Sequence, residues 1–387
     1  MQTLRAFPIL SIFTLVASLA SAQPPRARAR DLGVPFEGTP GPLNAITDVA
    51  GVEVGFATLI SRDGPLDVGK GPIRTGVTAI LPRGKTSNDP VMAGWYSLNG
   101  NGEMTGTTWI KESGFLEGPV FITNTHSVGT VRDASIAWAL KHGATHQPWS
   151  LPVVAETWDG ALNDINGFHV KPDHVFQALD AAKGGPVAEG NVGGGTGMIC
   201  YQFKCGTGTA SRRLDAQAGG YTVGVLVQSN YGGVLTMGGA PIGKLLGRYS
   251  YQPRPSQQQE DHGDGSCMIV VATDAPLDAR DLKRVAARAV YGLARTGSSF
   301  SNGSGEFAIA FSTAADLRTR FGATAVQTRT LLPTDGVSPL FQATLEATEE
   351  AVYNSLLKAT AVSSRYGKAE ALPVDRLKEI LGRYPKN

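Results

Sequence analysis

At Gly263-Asp264-Gly265-Ser266-Cys267 the chain changes character within a few residues. The segment before it, Gln252 to His262, is polar and rich in Gln, Pro, Asp and Glu, so it has little to bury. The run after it, Met268-Ile269-Val270-Val271-Ala272, is continuously apolar and partly β-branched. Such a run reads as a strand covered on both faces. A loop therefore delivers a hydroxyl residue, Ser266, to the first position of an interior strand.

The rest of the chain supports a layered α/β domain in which helices cover sheets. Strand-like runs cover Val52 to Leu59, Val77 to Leu81, Pro119 to Thr123, Val153 to Ala155, Tyr221 to Val227 and Glu306 to Phe311. Helical periodicity covers about Gly129 to His142, with Ile136, Ala137 and Leu140 as its expected apolar face. It recurs from Pro172 to about Lys183, from an Asp278 cap to about Arg295, from Ser338-Pro339 onward, and near Asp375 to Tyr384. Glycine is abundant, at 48 of 387 residues, so many tight turns or close backbone approaches are expected. A formal net charge of +2, with no polybasic run, gives no case for a nucleic-acid partner.

The N-terminus has the form of an export signal. Arg5 supplies the positive end, Phe7 to Leu19 the apolar core, and Ala20-Ser21-Ala22 the small-x-small cleavage site. Residues 1–22 are expected to be a cleaved signal peptide, with the mature chain starting at Gln23 in the periplasm or beyond. An uncleaved anchor is disfavoured because the core is shorter than the ~20 residues a span needs. The three cysteines, Cys200, Cys205 and Cys267, are too few for a disulfide framework. A Cys200–Cys205 bridge stays open, but it requires a turn, since a straight strand would put the two on opposite faces. Cys267 reads as a small buried hydrophobe.

A serine hydroxyl is a weak nucleophile and needs a base. Cleavage of the Gly265–Ser266 bond would place a free α-amino group on Ser266 itself. The unperturbed pKa of such a group, ~7.7–8.0, suits a general base near neutral pH. Gly265 has no side chain to obstruct attack on its carbonyl. Taken alone, however, the tetrapeptide reads as an ordinary loop-to-strand turn. Other catalytic patterns are missing: Gly-x-Ser-x-Gly does not occur, nor does His-Glu-x-x-His or paired Cys-x-x-Cys. No metal and no cofactor are expected, and the six scattered histidines read as structural or solvent-facing. The glycine run at 190–197 fits no phosphate-binding pattern and reads as a turn or wall close to a site.

Several stretches taken together resemble the family of L-aminopeptidase/D-esterase-amidases and β-peptidyl aminopeptidases, the DmpA- and BapA-type self-cleaving hydrolases of the N-terminal-nucleophile kind. They are Gly41 to Val49, Glu156-Thr-Trp-Asp-Gly160 with Leu162-Asn-Asp164, Gly190 to Met198, Val227-Gln-Ser-Asn-Tyr-Gly232, Gly263-Asp-Gly-Ser266 with Ala272 to Pro276, and Ser304-Gly-Glu306. They span nearly the whole mature chain in the family's order. A local departure is Cys205, where glycine is expected.

The resemblance implies a four-layer α/β/β/α sandwich, like other N-terminal-nucleophile hydrolases in layering but different in connectivity. It implies self-cleavage between Gly265 and Ser266, giving a large subunit, 23–265, and a small one, 266–387. Ser266 matches the nucleophile, with Ser304 and Glu306 completing the catalytic trio. Asn230 matches the oxyanion donor, and Glu156 the carboxylate that receives the substrate's amine. Trp158 is a further candidate for the pocket wall. The implied function is a cofactor-free, periplasmic serine aminopeptidase acting on short peptides, amides or esters, with the β-peptidyl branch favoured by the signal peptide. A homotetramer is the family expectation. Alternatives are an L-aminopeptidase/D-amidase-esterase of the same family, a related N-terminal-nucleophile acyltransferase of the ornithine acetyltransferase type, and a penicillin-acylase-like amidase. A non-enzymatic binding or scaffold protein is the rival from another class. Ser266 argues against the acyltransferase, because those enzymes use threonine.

Overall fold

The computed structural model describes residues 26–87, 89–144, 148–252, 265–364 and 367–384. The expected signal peptide, most of the polar run before Gly263, and Gly263-Asp264 lie outside the described residues. The elements run in the order β1 (Glu53–Ser61), β2 (Ile73–Leu81), β3 (Val91–Gly100), α1 (Thr107–Ser113), β4 (Phe115–Leu116), β5 (Val120–Asn124), α2 (Val128–Lys141), β6 (Val153–Thr157) and α3 (Pro172–Asp180). They continue with β7 (Ile199–Cys200), β8 (Phe203–Lys204), β9 (Thr207–Arg213), β10 (Thr222–Asn230), α4 (Ile242–Leu245), β11 (Ser266–Thr273) and α5 (Ala279–Arg295). The chain closes with β12 (Gly305–Ser312), α6 (Ser338–Leu357), β13 (Val362–Ser364), β14 (Gly367–Ala369) and α7 (Val374–Arg383).

Two sheets carry the fold. One has the order β1-β2-β5-β6, the other β4-β3-β12-β11-β10-β9. Their apolar faces meet: Val54, Ile80, Ile122 and Ala155 of the first share a core with Met268, Val270, Ala272, Phe307 and Ile309 of the second. On the far side of the first sheet, Val77, Ala79 and Phe121 pack against Val131 of α2 and Val175 of α3. On the far side of the second, Cys267, Ile269, Val271 and Ala308 pack against Leu282 and Val285 of α5 and Ala347 of α6. This is the four-layer α/β/β/α sandwich that the family resemblance implies.

Strand β11 sits at the centre of it. It runs antiparallel to β10 and parallel to β12, and all of its residues are buried. Alternation sends Met268, Val270 and Ala272 between the sheets, and Cys267, Ile269 and Val271 toward the helices. This double burial is why the run is apolar without interruption.

Helix α2 turns a different face inward from the one expected. Val128, Val131, Ala134 and Ser135 are buried, while Ala137 and Leu140 are exposed. The helix begins one residue earlier, so Val128 joins a stripe of β-branched and small side chains that lie close against the sheet. Strands β3 and β9 had no counterpart in the periodicity. The turn demanded by a Cys200–Cys205 bridge is present: β7 and β8 form a hairpin, and a disulfide joins the two cysteines with Cα atoms 5.6 Å apart.

Candidate active site

The head of β11 opens onto a cleft of about 540 Å³ whose lining includes Thr125, Glu156, Trp158, Asn230, Gly265 and Ser266. The register of β11 sets Ser266 opposite Asn230 on one side and Gly305 on the other. Gly265 is positioned by both neighbours. Its carbonyl accepts from the Gly305 N–H at 3.0 Å. Its φ of +150° lies in the glycine-favoured region, and a Cβ there would fall 1.8 Å from the Asn230 carbonyl oxygen. Glycine at 265 is therefore a steric requirement at the end of β10.

Asn230 is the last residue of β10 and is buried. Its Oδ1 accepts from the Ile199 N–H at 3.0 Å, and its Nδ2 donates to the Trp158 carbonyl at 2.9 Å. These bonds fix the amide's orientation and leave one Nδ2 hydrogen for another acceptor.

Glu156 comes from the other sheet, near the end of β6. Its Oε1 accepts from the Glu103 N–H at 3.0 Å and its Oε2 from the Thr125 hydroxyl at 2.5 Å. Burial raises its pKa above the ordinary carboxylate range, and these two donors oppose the rise. The strand period puts Glu156 and Trp158 toward the cleft while Thr157 and Asp159 anchor the segment. Thr157 accepts from the Gln228 side chain at 2.7 Å, which ties β6 to β10. Asp159 is fully buried, held by Asn124 and Asn163 at 3.1 and 3.0 Å, and its pKa is pushed up to about 6 by burial.

Ser304 and Glu306 lie behind the cleft wall and are both fully buried. The Ser304 hydroxyl donates to Glu306 Oε1, and Glu306 stands in register with Cys267, one residue from Ser266. Glu306 Oε2 is buried with no hydrogen-bond partner. Burial raises the Glu306 pKa, opposed by the Ser304 bond and by the Asn99 side chain nearby. The fold thus brings Ser266, Asn230 and Glu156 to one cleft and sets Ser304 and Glu306 on either side of Gly305, which pairs with the serine on the neighbouring strand.

No sequence motif marks Thr125 or the backbone groups of Glu103, Ile199, Trp158 and Gly305. Backbone donors carry no residue signature, and Thr125 becomes visible only once β5 and β6 lie parallel. Gly197, from the glycine run, does line the cleft. The candidate trio has no metal-like company: no group of three or more His, Cys, Asp or Glu able to hold a metal occurs among the described residues.

Known proteins match this chain over most of its length. The beta-peptidyl aminopeptidase BapA of Sphingosinicella microcystinivorans is 52% identical over 388 residues, covering 98% of this chain and 97% of the relative. The solved Burkholderia sp. beta-aminopeptidase superposes with a TM-score of 0.82 at 46% identity, covering 93% of this chain and 100% of that one. The l-aminopeptidase d-ala-esterase/amidase of Ochrobactrum anthropi, described as a new variant of the Ntn hydrolase fold, gives a TM-score of 0.83 at 44% identity, with 92% and 98% covered. The model of peptidase family S58 matches residues 44–370, well over half of the chain. The chain belongs to peptidase family S58.

Proposed function

We propose that the protein is a self-cleaving serine aminopeptidase that releases N-terminal residues from short peptides, amides or esters with a free amine, with β-peptides as its preferred class. The observation that carries this reading is the cleft itself: a serine at the head of a buried strand, an oriented amide beside it, and a buried carboxylate facing it from the opposite sheet. The names of the Sphingosinicella and Burkholderia proteins support the β-peptidyl preference.

In the precursor, the Ser266 hydroxyl adds to the Gly265 carbonyl and the C–N bond breaks, leaving an ester. That break already frees the Ser266 α-amine, which keeps the hydroxyl proton; water then hydrolyses the ester, which frees the Gly265 carboxylate and restores the Ser266 hydroxyl. In turnover, the α-amine takes the Ser266 hydroxyl proton while the oxygen attacks the substrate carbonyl. The free hydrogen of Asn230 Nδ2 stabilises the oxyanion, a contribution of about 3–4 kcal/mol for such donors. The leaving amine takes the proton, and water then releases the acyl group. Glu156 receives the substrate ammonium and so fixes which end of the chain enters. Ser304 orients the α-amine, and the buried Glu306 carboxylate, whose Oε1 holds the Ser304 hydroxyl, supplies the opposite charge.

The reading includes export on residues 1–22 to the periplasm, subunits 23–265 and 266–387, and assembly as a homotetramer. Its support is the sequence form of the N-terminus and the family likeness. Purified protein should show two bands on a denaturing gel, the smaller beginning at Ser266, and Ser266→Ala should give one inactive band. A panel of matched α- and β-amino p-nitroanilides tests the preference. Faster release from the α series would move the protein to the L-aminopeptidase/D-amidase-esterase branch, and an intact, inactive wild-type chain would sink the reading.

A further inference from the structure

The β7–β8 hairpin is built from residues that do not favour it. Its two turn residues, Tyr201 and Gln202, both have positive φ, 51° and 66°. Turns of this kind are normally made by Asn-Gly or Gly-containing pairs. A bulky side chain in that conformation is strained. Several contacts hold the turn against this strain. The Cys200–Cys205 disulfide closes its base. The Tyr201 ring meets Tyr231 edge-on at 5.3 Å, and its hydroxyl pairs with Thr296 at 2.7 Å. The Tyr201 N–H donates to the Tyr231 carbonyl at 3.0 Å.

The hairpin also forms part of the cleft wall, through Ile199, Tyr201 and Gln202. The Ile199 N–H, adjacent to Cys200, is the donor that holds Asn230 Oδ1 and so fixes which side of the amide carries Nδ2. The strained turn, its covalent closure and the orientation of Asn230 are thus coupled within three residues.

We infer that the Cys200–Cys205 disulfide is a positioning device for the Asn230 amide: by closing the hairpin it holds the Ile199 N–H where it orients Nδ2 toward the oxyanion. The inference rests on the reading of Asn230 as the oxyanion donor. Breaking the bridge takes two electrons and two protons from a dithiol, which leaves as its own cyclic disulfide, and yields two thiols. The turn residues then relax from positive φ, the Ile199 N–H shifts, and the Asn230 amide is left with only its bond to the Trp158 carbonyl. Substrate capture depends on Glu156, which stands on the other sheet, so it is left in place. Cys267 is fully buried, and burial pushes its thiol pKa up, which disfavours the thiolate that exchange into the bridge would need.

The test compares wild type with Cys200→Ala/Cys205→Ala on one p-nitroanilide substrate. The expected result is a kcat lower by about tenfold, with KM within about twofold. Wild-type protein reduced with dithiothreitol, its thiols counted by alkylation and mass, should show the same fall and recover on reoxidation. If the double variant does not fold, the reduced wild type decides. An unchanged kcat in folded, bridge-free protein would overturn the inference, as would two alkylatable thiols at 200 and 205 in the protein as purified. A wild-type chain without any aminopeptidase activity overturns the functional reading as well, and is told apart from an active chain indifferent to its bridge.

Discussion

Gly265 shows how strictly one position can be set by its neighbours. A methyl group there would lie 1.8 Å from the Asn230 carbonyl oxygen, so Gly265→Ala must push apart the ends of β10 and β11. The variant should accumulate uncut precursor on a denaturing gel, and cleavage at the wild-type rate would refute the steric argument. Glu156 makes a different prediction. It must be ionised to hold an ammonium group, yet burial raises its pKa. KM should therefore rise as pH falls through that raised pKa, with kcat less affected. Glu156→Gln should raise KM by roughly 10- to 100-fold at neutral pH, the range for a lost charge-assisted bond, and remove this acid dependence. The stability sign runs the other way. A carboxyl with a raised folded-state pKa stabilises the fold fully below its unfolded pKa, and that contribution is lost as pH rises through the folded value. Asp159 behaves likewise, with its loss falling between the ordinary aspartate pKa and about 6. Asp159→Asn should flatten the pH dependence of Tm in that window.

Among the elements, helix α5 follows its sequence closely. Asp278 accepts from the Asp281 N–H at 2.9 Å as an N-cap, and Leu282, Val285, Ala286, Ala289 and Leu293 are all buried. Asp278→Ala should cost about 1 kcal/mol, read as a lowered denaturation midpoint with an unchanged slope. Strand β11 was equally legible, because double burial writes an unbroken apolar run. Strand β9 was not, since Thr207 to Arg213 is small or polar throughout. It is buried all the same, because Arg212 finds Glu346 and Glu350 of α6 at 3.0 and 2.8 Å. A strand whose burial depends on ion pairs from a distant helix leaves no periodic trace. Candidate side chains at the site were legible from motifs, whereas the bonds that aim them come from backbone groups of other elements.

Across the whole molecule, the proposed cut falls within a single sheet. In the order β4-β3-β12-β11-β10-β9, the strands after the cut, β11 and β12, lie between β3 and β10, which precede it. Helices α5 and α6, also after the cut, cover the same sheet. The two pieces should therefore migrate as one species in gel filtration without denaturant and part only when unfolded. Separation under native conditions would contradict this topology. That interleaving also gives the protein a direction in time. The uncut chain closes its central sheet as one molecule, whereas the cut pieces would have to find each other and thread two strands into a gap while every edge is exposed to aggregation. Heat-unfolded cut protein should stay inactive on cooling, while the uncut Ser266→Ala chain should regain its fold; the proposed cut would then exchange reversible folding for a stability that is purely kinetic.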